Sequence, residues 1–364
     1  LWLDDFAEFM AIKEHFGNQA LQKWDDKKAV ARDPSALEKY RTMLAEQIQY
    51  FKVTQYFFFK QWTELKNYAN QKGIQIIGDM PIYVAADSVE VWTKPELFQL
   101  DEERNPLFVA GVPADQFSAT GQLWGNPLYA WEEHKKQGYA WWIHRIEESF
   151  KIYDVLRIDH FKGFSDYWQV DGKAEVAKDG SWQPGPGYDL FKAVKEQLGD
   201  LPIIAEDLGN IDDKARKLLT DCNYPGMKIL QFGFEDVSGE SLDSPHYCIP
   251  HSIVYTGTHD NDVTNGWYNS LTEQQQQYIN DYTHRHEDES ICQAMIRQLF
   301  ATVSNTAIAT MQDVLDLPAS SRMNVPSTIG GNWQWRMQQS DLTQDKKDFL
   351  AKMTTLYQRA NQEK

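Results

Sequence analysis

Six short apolar segments recur along the chain, and each is followed by polar or turn-forming residues. In chain order they are "IQIIGDMP" at 74–81, "YDVLRID" at 153–159, "LPIIAED" at 201–207, "MKILQF" at 227–232, "SIVYTGTHD" at 252–260 and "TAIATMQDV" at 306–314. Compact apolar runs without strict alternation are typical of parallel strands that are buried on both faces. The pattern therefore predicts six strands of a parallel sheet.

Helical periodicity separates most of these predicted strands. Apolar residues recur every three or four positions over 35–72, and Gly73 marks the expected end of this helix. The first residues of the chain show the same helical periodicity. Further helices are predicted over 189–199, 211–221 and 288–303. Strands that alternate with helices favour an α/β fold, in which a parallel sheet forms either a barrel or a doubly wound layer.

Three long insertions interrupt this alternation, at about 84–131, 161–188 and 233–295. They are rich in Gly, Pro and Trp, and they are too long to be ordinary connections between strands and helices. We find no internal repeat and no stretch typical of a linker between domains. The sequence therefore predicts one domain over 1–364, with helical and irregular insertions on a single scaffold.

The composition restricts the class of protein. The chain has 364 residues, of which 42% are apolar and 13% aromatic, so it can bury a large core. Its 36 basic and 53 acidic side chains give a net charge of −17, which disfavours binding to nucleic acid or to an anionic membrane surface. The three cysteines lack any CxxC spacing, and no run of about 18 apolar residues is present. These features predict a cytoplasmic globular protein with a neutral or cationic partner.

Four of the six predicted strands end on acidic side chains, namely Asp79, Asp159, Glu206 and Asp260. In a barrel of parallel strands the carboxyl ends meet at one mouth, so these groups are expected to converge. Carboxylates held close together repel each other, and one of them then keeps its proton. A neutral acid within about 5 Å of an ionised carboxylate is the equipment for cleaving a glycosidic bond with retention. Arg157, on the same strand face as Asp159, is suited to keep that carboxylate ionised.

Three other interpretations of these residues stay open from the sequence alone. A strand-terminal aspartate can simply cap the following turn or helix. Strands that end in Asp-His, Glu-Asp and His-Asp also suit a metal-dependent hydrolase, although the strand ends contain no HxH or HxxxH pattern. A glycan-binding protein without catalytic activity is the third interpretation.

Several segments, taken together and in order, resemble the 4-α-glucanotransferases known as amylomaltases or disproportionating enzymes. They are "GDMPIYV" (78–84), "GVPADQFSATGQLWGNPLYAW" (111–131), "LRIDHFKGF" (156–164), "IIAEDLG" (203–209), "TGTHDND" (256–262) and "RMNVPSTIGGNWQWR" (322–336). The resemblance spans nearly the whole chain. It implies a catalytic (β/α)8 barrel of the α-amylase clan that works with retention and needs neither an organic cofactor nor a metal ion.

Position by position, the resemblance implies a role for each matching residue. Asp159 would be the nucleophile, Glu206 the general acid/base and Asp260 the stabiliser of the transition state. The residues implied to support the nucleophile or to contact sugar are Asp79, Trp124, Asn126, Arg157, His160, His259 and Asn324. The implied reaction transfers α-1,4-glucan segments between malto-oligosaccharides or to glucose, and hydrolysis of α-glucans at the same site is the alternative.

The chain departs from the family pattern in three ways. Ala119 stands where some members carry an acidic residue, and Ser327 stands where glycine is familiar, which is expected to shift a turn only slightly. Counted against the family, "IQIIGDMP" corresponds to the third barrel strand, so the first two strands are expected to be absent from this chain and to belong to a longer natural one.

Core packing is expected for four of the tryptophans, Trp62, Trp141, Trp142 and Trp333.

Overall fold

The computed structural model describes residues 2–114, 120–209 and 211–360, which divide into two compact units, Leu1–Asn223 and Tyr224–Lys364. The strands of the first unit are β1 Ile77–Met80, β2 Phe108–Val112, β3 Gln122–Pro127, β4 Val155–Ile158, β5 Asp166–Asp171, β6 Ser181–Pro184 and β7 Ile203–Ala205. Its helices are α1 Trp2–His15, α2 Lys27–Val30, α3 Pro34–Met43, α4 Ala45–Gln71, α5 Val89–Thr93, α6 Trp131–Lys136, α7 Ala140–Ile152, α8 Tyr188–Leu198 and α9 Asp213–Cys222.

The second unit contains three further strands and six further helices. The strands are β8 Gly226–Ile229, β9 Ser252–Tyr255 and β10 Thr306–Ile308. The helices are α10 Leu230–Glu235, α11 Thr264–Ser270, α12 Glu273–Thr283, α13 Ile291–Ala301, α14 Met311–Val314 and α15 Gln344–Leu356. Its core packs α10, α12 and α13 against β9 through residues such as Phe234, Val254 and Met295.

All six predicted parallel strands are present, as β1, β4, β7, β8, β9 and β10. In the first unit β4 lies between β1 and β7, and in the second unit β9 lies between β8 and β10; every one of these pairs is parallel. The central strands are apolar because both of their faces are covered, and Leu156, Ile158 and Val254 are fully buried. The α/β class predicted from the alternation is therefore confirmed.

The closed (β/α)8 barrel is not found among the described residues. Each unit holds one open sheet of three parallel strands, and three strands are too few to close a sheet on itself. A barrel that lacks its first two strands, and a single domain over 1–364, therefore stay predictions.

The insertions at 84–131 and 161–188 are less irregular than predicted. They contribute β2, β3, β5 and β6 to one antiparallel sheet with the order β3-β2-β5-β6. Val109 of β2 lies opposite Val170 of β5, and both are buried with Ala177. The pairing joins residues about sixty positions apart, and local periodicity carries no signal for such a partner. Residues 115–119, which include Ala119, lie outside the described residues.

The predicted helices are confirmed with small shifts of their ends. The segment 35–72 forms α3 and α4, which are separated at Leu44, and Gly73 ends α4 with a positive φ of 72°. The Ile74 N–H then donates to the Ala69 carbonyl, which closes the last turn. Within α4, which the structure describes throughout, no residue is buried. None of the described helices combines the length and the apolar composition that a membrane span requires.

The expectation of core packing for four tryptophans is correct only in part. Trp142 is fully buried, whereas Trp62 and Trp141 are partly buried. Trp333 is 61% exposed, so the expectation is wrong for this residue. The physical reason is its place in a loop that follows two glycines, Gly330 and Gly331, and that has no regular element to bring the ring into a core.

Candidate active site

The candidate site of the first unit lies at the carboxyl ends of β1, β4 and β7. Asp79 lies opposite Arg157 across the β1–β4 pair, and Ile158 lies opposite Ala205 across the β4–β7 pair. Asp159 and Glu206 are therefore the first residues beyond two aligned parallel strands. Main-chain hydrogen bonds continue there, since Asp159 N–H donates to Met80 O and Glu206 N–H to Ile158 O, both at 3.0 Å. The strand register alone places these carboxyl groups side by side.

Arg157 is the fixed cation among these carboxylates. Its Nη1 donates to the two carboxylate oxygens of Asp79 at 2.6 and 2.7 Å, and lies 2.9 Å from Oδ1 of Asp159. The Arg157 side chain is only 9% exposed, whereas those of Asp79 and Asp159 are 39% and 41% exposed. Burial opposes the charge on the guanidinium, but the Asp79 and Asp159 carboxylates outweigh it and raise the pKa of Arg157. Arg157 and Asp159 thus form an ion pair, and the support of the nucleophile by Arg157 stays a prediction.

The carboxyl group of Glu206 has a raised pKa. Burial, followed by the negative charge of Asp159, raises the pKa of Glu206 to about 7, although Arg157 and two main-chain N–H groups act in the opposite direction. Those N–H groups belong to His160, which donates to Oε2, and to Leu208, which donates to Oε1, each at 2.8 Å. A partly buried acid with a pKa of about 7 thus stands beside an ion-paired carboxylate.

His160 links these two strand ends through its main chain. It adopts the left-handed conformation, with φ 49° and ψ 48°, and its N–H donates to Glu206. Burial lowers the pKa of the imidazole to about 4, even though the Asp159 charge acts to raise it. The ring is therefore neutral at pH 7 and can both donate and accept one hydrogen bond.

Trp124, on β3, lies next to the His160 ring. The two ring centroids are 4.8 Å apart in an edge-to-face arrangement, and Trp124 is 37% exposed. Asn126 lies two residues further along β3, and its Nδ2 donates to the Val84 carbonyl at 2.9 Å. One N–H of the Asn126 amide therefore holds the segment after β1, and its other N–H and its carbonyl oxygen remain for the predicted sugar contact.

Sequence reasoning missed two residues that fix the segment after β1. Arg145 on α7 donates to the Pro81 carbonyl at 2.7 Å and to the Ile82 carbonyl at 3.0 Å, and the Tyr129 hydroxyl donates to Ile82 at 2.7 Å. These side chains satisfy carbonyls next to Asp79 and so keep the loop at the site in place. No spacing in the sequence pairs Arg145 with Pro81.

The second unit contains its own cluster around Asp260. Asn324 Nδ2 donates to Oδ1 of Asp260 at 2.6 Å, and His259 Nε2 lies 3.3 Å from Oδ2. Arg322 donates to the main-chain oxygens of Asp260 at 2.6 Å and of Asn324 at 2.8 Å, and thereby ties the two segments together. The structure thus brings together three residues that the resemblance had assigned to the site, Asp260, His259 and Asn324.

The strand ends of the first unit contain a fixed cation of their own. Asp79 and Asp159 share the Arg157 guanidinium, which provides the positive charge that a metal ion would otherwise supply. Across the described ranges, the one grouping of possible ligand atoms within 4.8 Å of one another is His144, Glu147 and Glu148. It lies on the exposed face of α7, away from the strand ends.

Together, parallel strands and a protonated acid beside an ion-paired carboxylate define an α/β protein equipped to break and form glycosidic bonds. The model of a family described as "4-alpha-glucanotransferase" matches residues 1–343 of the chain. The chain belongs to this 4-α-glucanotransferase family of enzymes, which confirms the resemblance drawn from its motifs.

Individual relatives agree with this assignment. The chain is 53% identical over 362 residues to a 4-α-glucanotransferase of Streptococcus pneumoniae, with 99% of this chain and 72% of that protein covered. It is 41% identical over 344 residues to the chloroplastic/amyloplastic 4-α-glucanotransferase of Solanum tuberosum, with 93% of this chain and 58% of that protein covered. The structure is similar to that of the Streptococcus agalactiae amylomaltase in complex with acarbose, with a TM-score of 0.97 and 60% identity over 99% of this chain and 73% of that one.

Proposed function

We propose that this enzyme transfers α-1,4-glucan segments from one malto-oligosaccharide to the 4-hydroxyl of another, or of glucose, with retention of configuration. The observation that carries the proposal is the contrast between Glu206 and Asp159. The pKa of Glu206 is raised to about 7, whereas Asp159 is paired with Arg157. A proton donor and a carboxylate nucleophile at adjacent strand ends are what a double displacement needs.

In the first step, an Asp159 oxygen attacks the anomeric carbon while the bond to the departing sugar oxygen breaks. Glu206 gives its proton to that oxygen, so the leaving chain departs as a neutral alcohol. In the second step, the 4-hydroxyl of an acceptor attacks the same carbon, and the ester bond to Asp159 breaks. The proton of the acceptor hydroxyl passes to Glu206, which restores both carboxyl groups to their starting states.

Asp260 is proposed to stabilise the positive charge that develops on the sugar ring in the transition state. The proposal rests on the family match and on the surroundings of Asp260 in its own unit. Asn324 and His259 approach different oxygens of its carboxyl group and fix its orientation. His160, His259, Asp79 and Asn324 are proposed to contact sugar hydroxyls.

Transfer rather than hydrolysis requires that water be kept away from the glycosyl-enzyme. Trp124 is proposed to shield the intermediate, because its partly exposed ring lies against His160, the residue that follows Asp159. The family match supports this outcome. Hydrolysis of α-glucans at the same carboxylates is the second candidate, since water can replace the acceptor hydroxyl.

Incubation of the enzyme with maltotriose tests the proposal. Transfer gives a ladder of longer oligosaccharides together with glucose, whereas hydrolysis gives only glucose and maltose. Unchanged maltotriose would contradict both functions and would favour a protein that binds glucans without turnover. The same incubation with a strong chelator is expected to give the same ladder, and its loss would favour a metal-dependent mechanism. Asp159→Asn protein is the matched control for contaminating activity.

A further inference from the structure

Trp333 combines high exposure with a place beside the Asp260 cluster. Its side chain is 61% exposed, and its ring centroid lies 5.0 Å from that of His259 with the planes tilted by 44°. His259 in turn lies 3.3 Å from the Asp260 carboxylate. A large flat apolar surface therefore borders the polar groups of the second unit's cluster.

The main chain at Trp333 has a conformation that is unfavourable for a residue with a bulky side chain. Its φ is +60°, in the left-handed region, after positive φ values at Gly330 and Gly331. The Trp333 N–H donates to the Met323 carbonyl at 2.7 Å, which fixes the loop against the segment that carries Asn324. Backbone strain and an exposed aromatic ring both destabilise the folded protein. Since both occur at a candidate active site, ligand binding explains Trp333 better than a role in fold stability does.

The neighbouring groups indicate the chemistry of that ligand. A pyranose ring presents C–H groups on one face and hydroxyls around its edge, so it suits an aromatic plane bordered by hydrogen-bonding side chains. His259 supplies such a group next to the ring, and Asn324 binds the same Asp260 carboxylate that His259 approaches. The net charge of −17 also favours a neutral ligand over an anionic one.

We infer that Trp333 is a specificity-determining residue that stacks on a glucose unit of the malto-oligosaccharide bound at the Asp260 cluster. The inference rests on the proposed function and adds to it a residue that the sequence had assigned to the core. The flat ring contributes to binding in the ground state and in the transition state alike. Its loss is therefore expected to change KM far more than kcat.

Steady-state transfer kinetics with maltotriose test this role in three variants. Trp333→Leu keeps apolar volume without a flat face, and Trp333→Gly removes the side chain while it relieves the positive φ. Both are expected to raise KM about tenfold, with kcat within about threefold of the parent enzyme, since a stacked ring is worth about one decade of affinity. Trp333→Phe keeps a flat ring and is expected to stay within about threefold of the parent KM.

Ile329→Ala is the matched control, because Ile329 lies in the same loop and is fully exposed. It is expected to leave KM and kcat unchanged, which separates the flat ring from apolar area in general. If the parent enzyme makes the maltotriose ladder but Trp333→Leu and Trp333→Gly keep its KM, the stacking role is wrong and the proposed function stands. An equal rise in KM for Trp333→Phe and Trp333→Leu would also overturn it. If the parent makes no ladder, the proposed function itself fails.

Discussion

The two units surround their key aspartates in different ways. In the first unit, Asp159 is paired at 2.9 Å with Arg157, a buried guanidinium that also binds Asp79. In the second unit, Asp260 receives the side-chain amide of Asn324 at 2.6 Å and lies near the imidazole of His259. One carboxylate is held by a permanent cation, and the other by an amide and a titratable ring.

These surroundings suit the two aspartates to different roles. In the first unit, charges and burial set the protonation of Glu206, so its residues are expected to control proton transfer and the attack on the sugar. In the second unit, hydrogen-bonding groups and an exposed aromatic ring surround the carboxylate, so its residues are expected to control charge stabilisation and binding. Substitutions in the two regions should therefore give different kinetic signatures.

The largest effect is expected for Asp159→Asn. The amide cannot form the covalent intermediate, so the transfer rate from maltotriose should fall by about 10⁴-fold or more. The shape of the side chain is kept, and calorimetry should show that the variant binds maltotriose nearly as well as the parent. Turnover above about one per cent of the parent rate would mean that another group is the nucleophile.

Glu206→Gln is expected to lower transfer from maltotriose by about 10³-fold, because the leaving oxygen loses its proton donor. An α-glucosyl fluoride carries a leaving group that needs no proton, so the burst of fluoride release from the first step should fall by no more than about tenfold. Equal losses on both substrates would contradict the acid role of Glu206.

Asp260→Asn tests the contribution of the second unit. The amide can still accept from Asn324, but the negative charge is lost, and kcat is expected to fall by about 10²-fold to 10³-fold. Binding of maltotriose in the ground state should change little, since the neutral sugar gains the charge interaction only as the transition state develops. If the kcat of Asp260→Asn equals that of the parent enzyme, Asp260 takes no part in the chemical step, and the residues of the first unit carry it alone.

The pH dependence of the parent enzyme should report Glu206. Because the pKa of Glu206 is raised to about 7, kcat/KM is expected to fall about tenfold per pH unit well above neutrality, as the donor loses its proton. Glu206→Gln should lose this limb of the profile. A limb that persists in Glu206→Gln would belong to another group.

The same shift predicts a stability change, and its sign follows from proton binding. The folded protein holds the Glu206 proton up to about pH 7, whereas the ordinary value of this carboxyl is 4.5. Between these values the folded state binds more protons than the unfolded state, so this contribution to the unfolding free energy is complete below pH 4.5 and is lost as the pH rises to about 7. The Tm of the parent minus the Tm of Glu206→Gln, measured from pH 4.5 to about 7, should therefore decrease as the pH rises.

The parts of the fold that depend on local pattern were predictable, and those that depend on distant pairing were not. Leu156 and Ile158 mark β4 because both faces of that strand are buried, and Asp159 marks its end. The pairing of β2 with β5 had no local signal, because Val109 and Val170 meet only after the chain has folded. The open three-stranded sheets differ from the predicted barrel for a similar reason: closure depends on strand number and register rather than on any single strand.

The candidate site shows the same division. Asp159, Glu206 and Arg157 could be selected from the sequence because strand ends collect functional groups. The raised pKa of Glu206 results mainly from its burial and is opposed by the main-chain N–H of His160, and a sequence displays neither of these. Trp333 was assigned to the core because most tryptophans are buried, but a loop with two glycines leaves it exposed.

The smallest effect is expected at Ser327, where the family pattern has glycine. Ser327 is exposed and has a positive φ of 64°, a conformation that costs a residue with a Cβ about 1 kcal/mol and costs glycine almost nothing. Ser327→Gly also frees the unfolded chain, which offsets part of the gain, so thermal unfolding should shift upward by only about 1–2 °C. Ser320→Gly is the matched control, because Ser320 is an exposed serine without a positive φ in the same unit, and its Tm should fall by a similar amount. Equal losses of Tm in both variants would show that the left-handed turn at Ser327 is not strained.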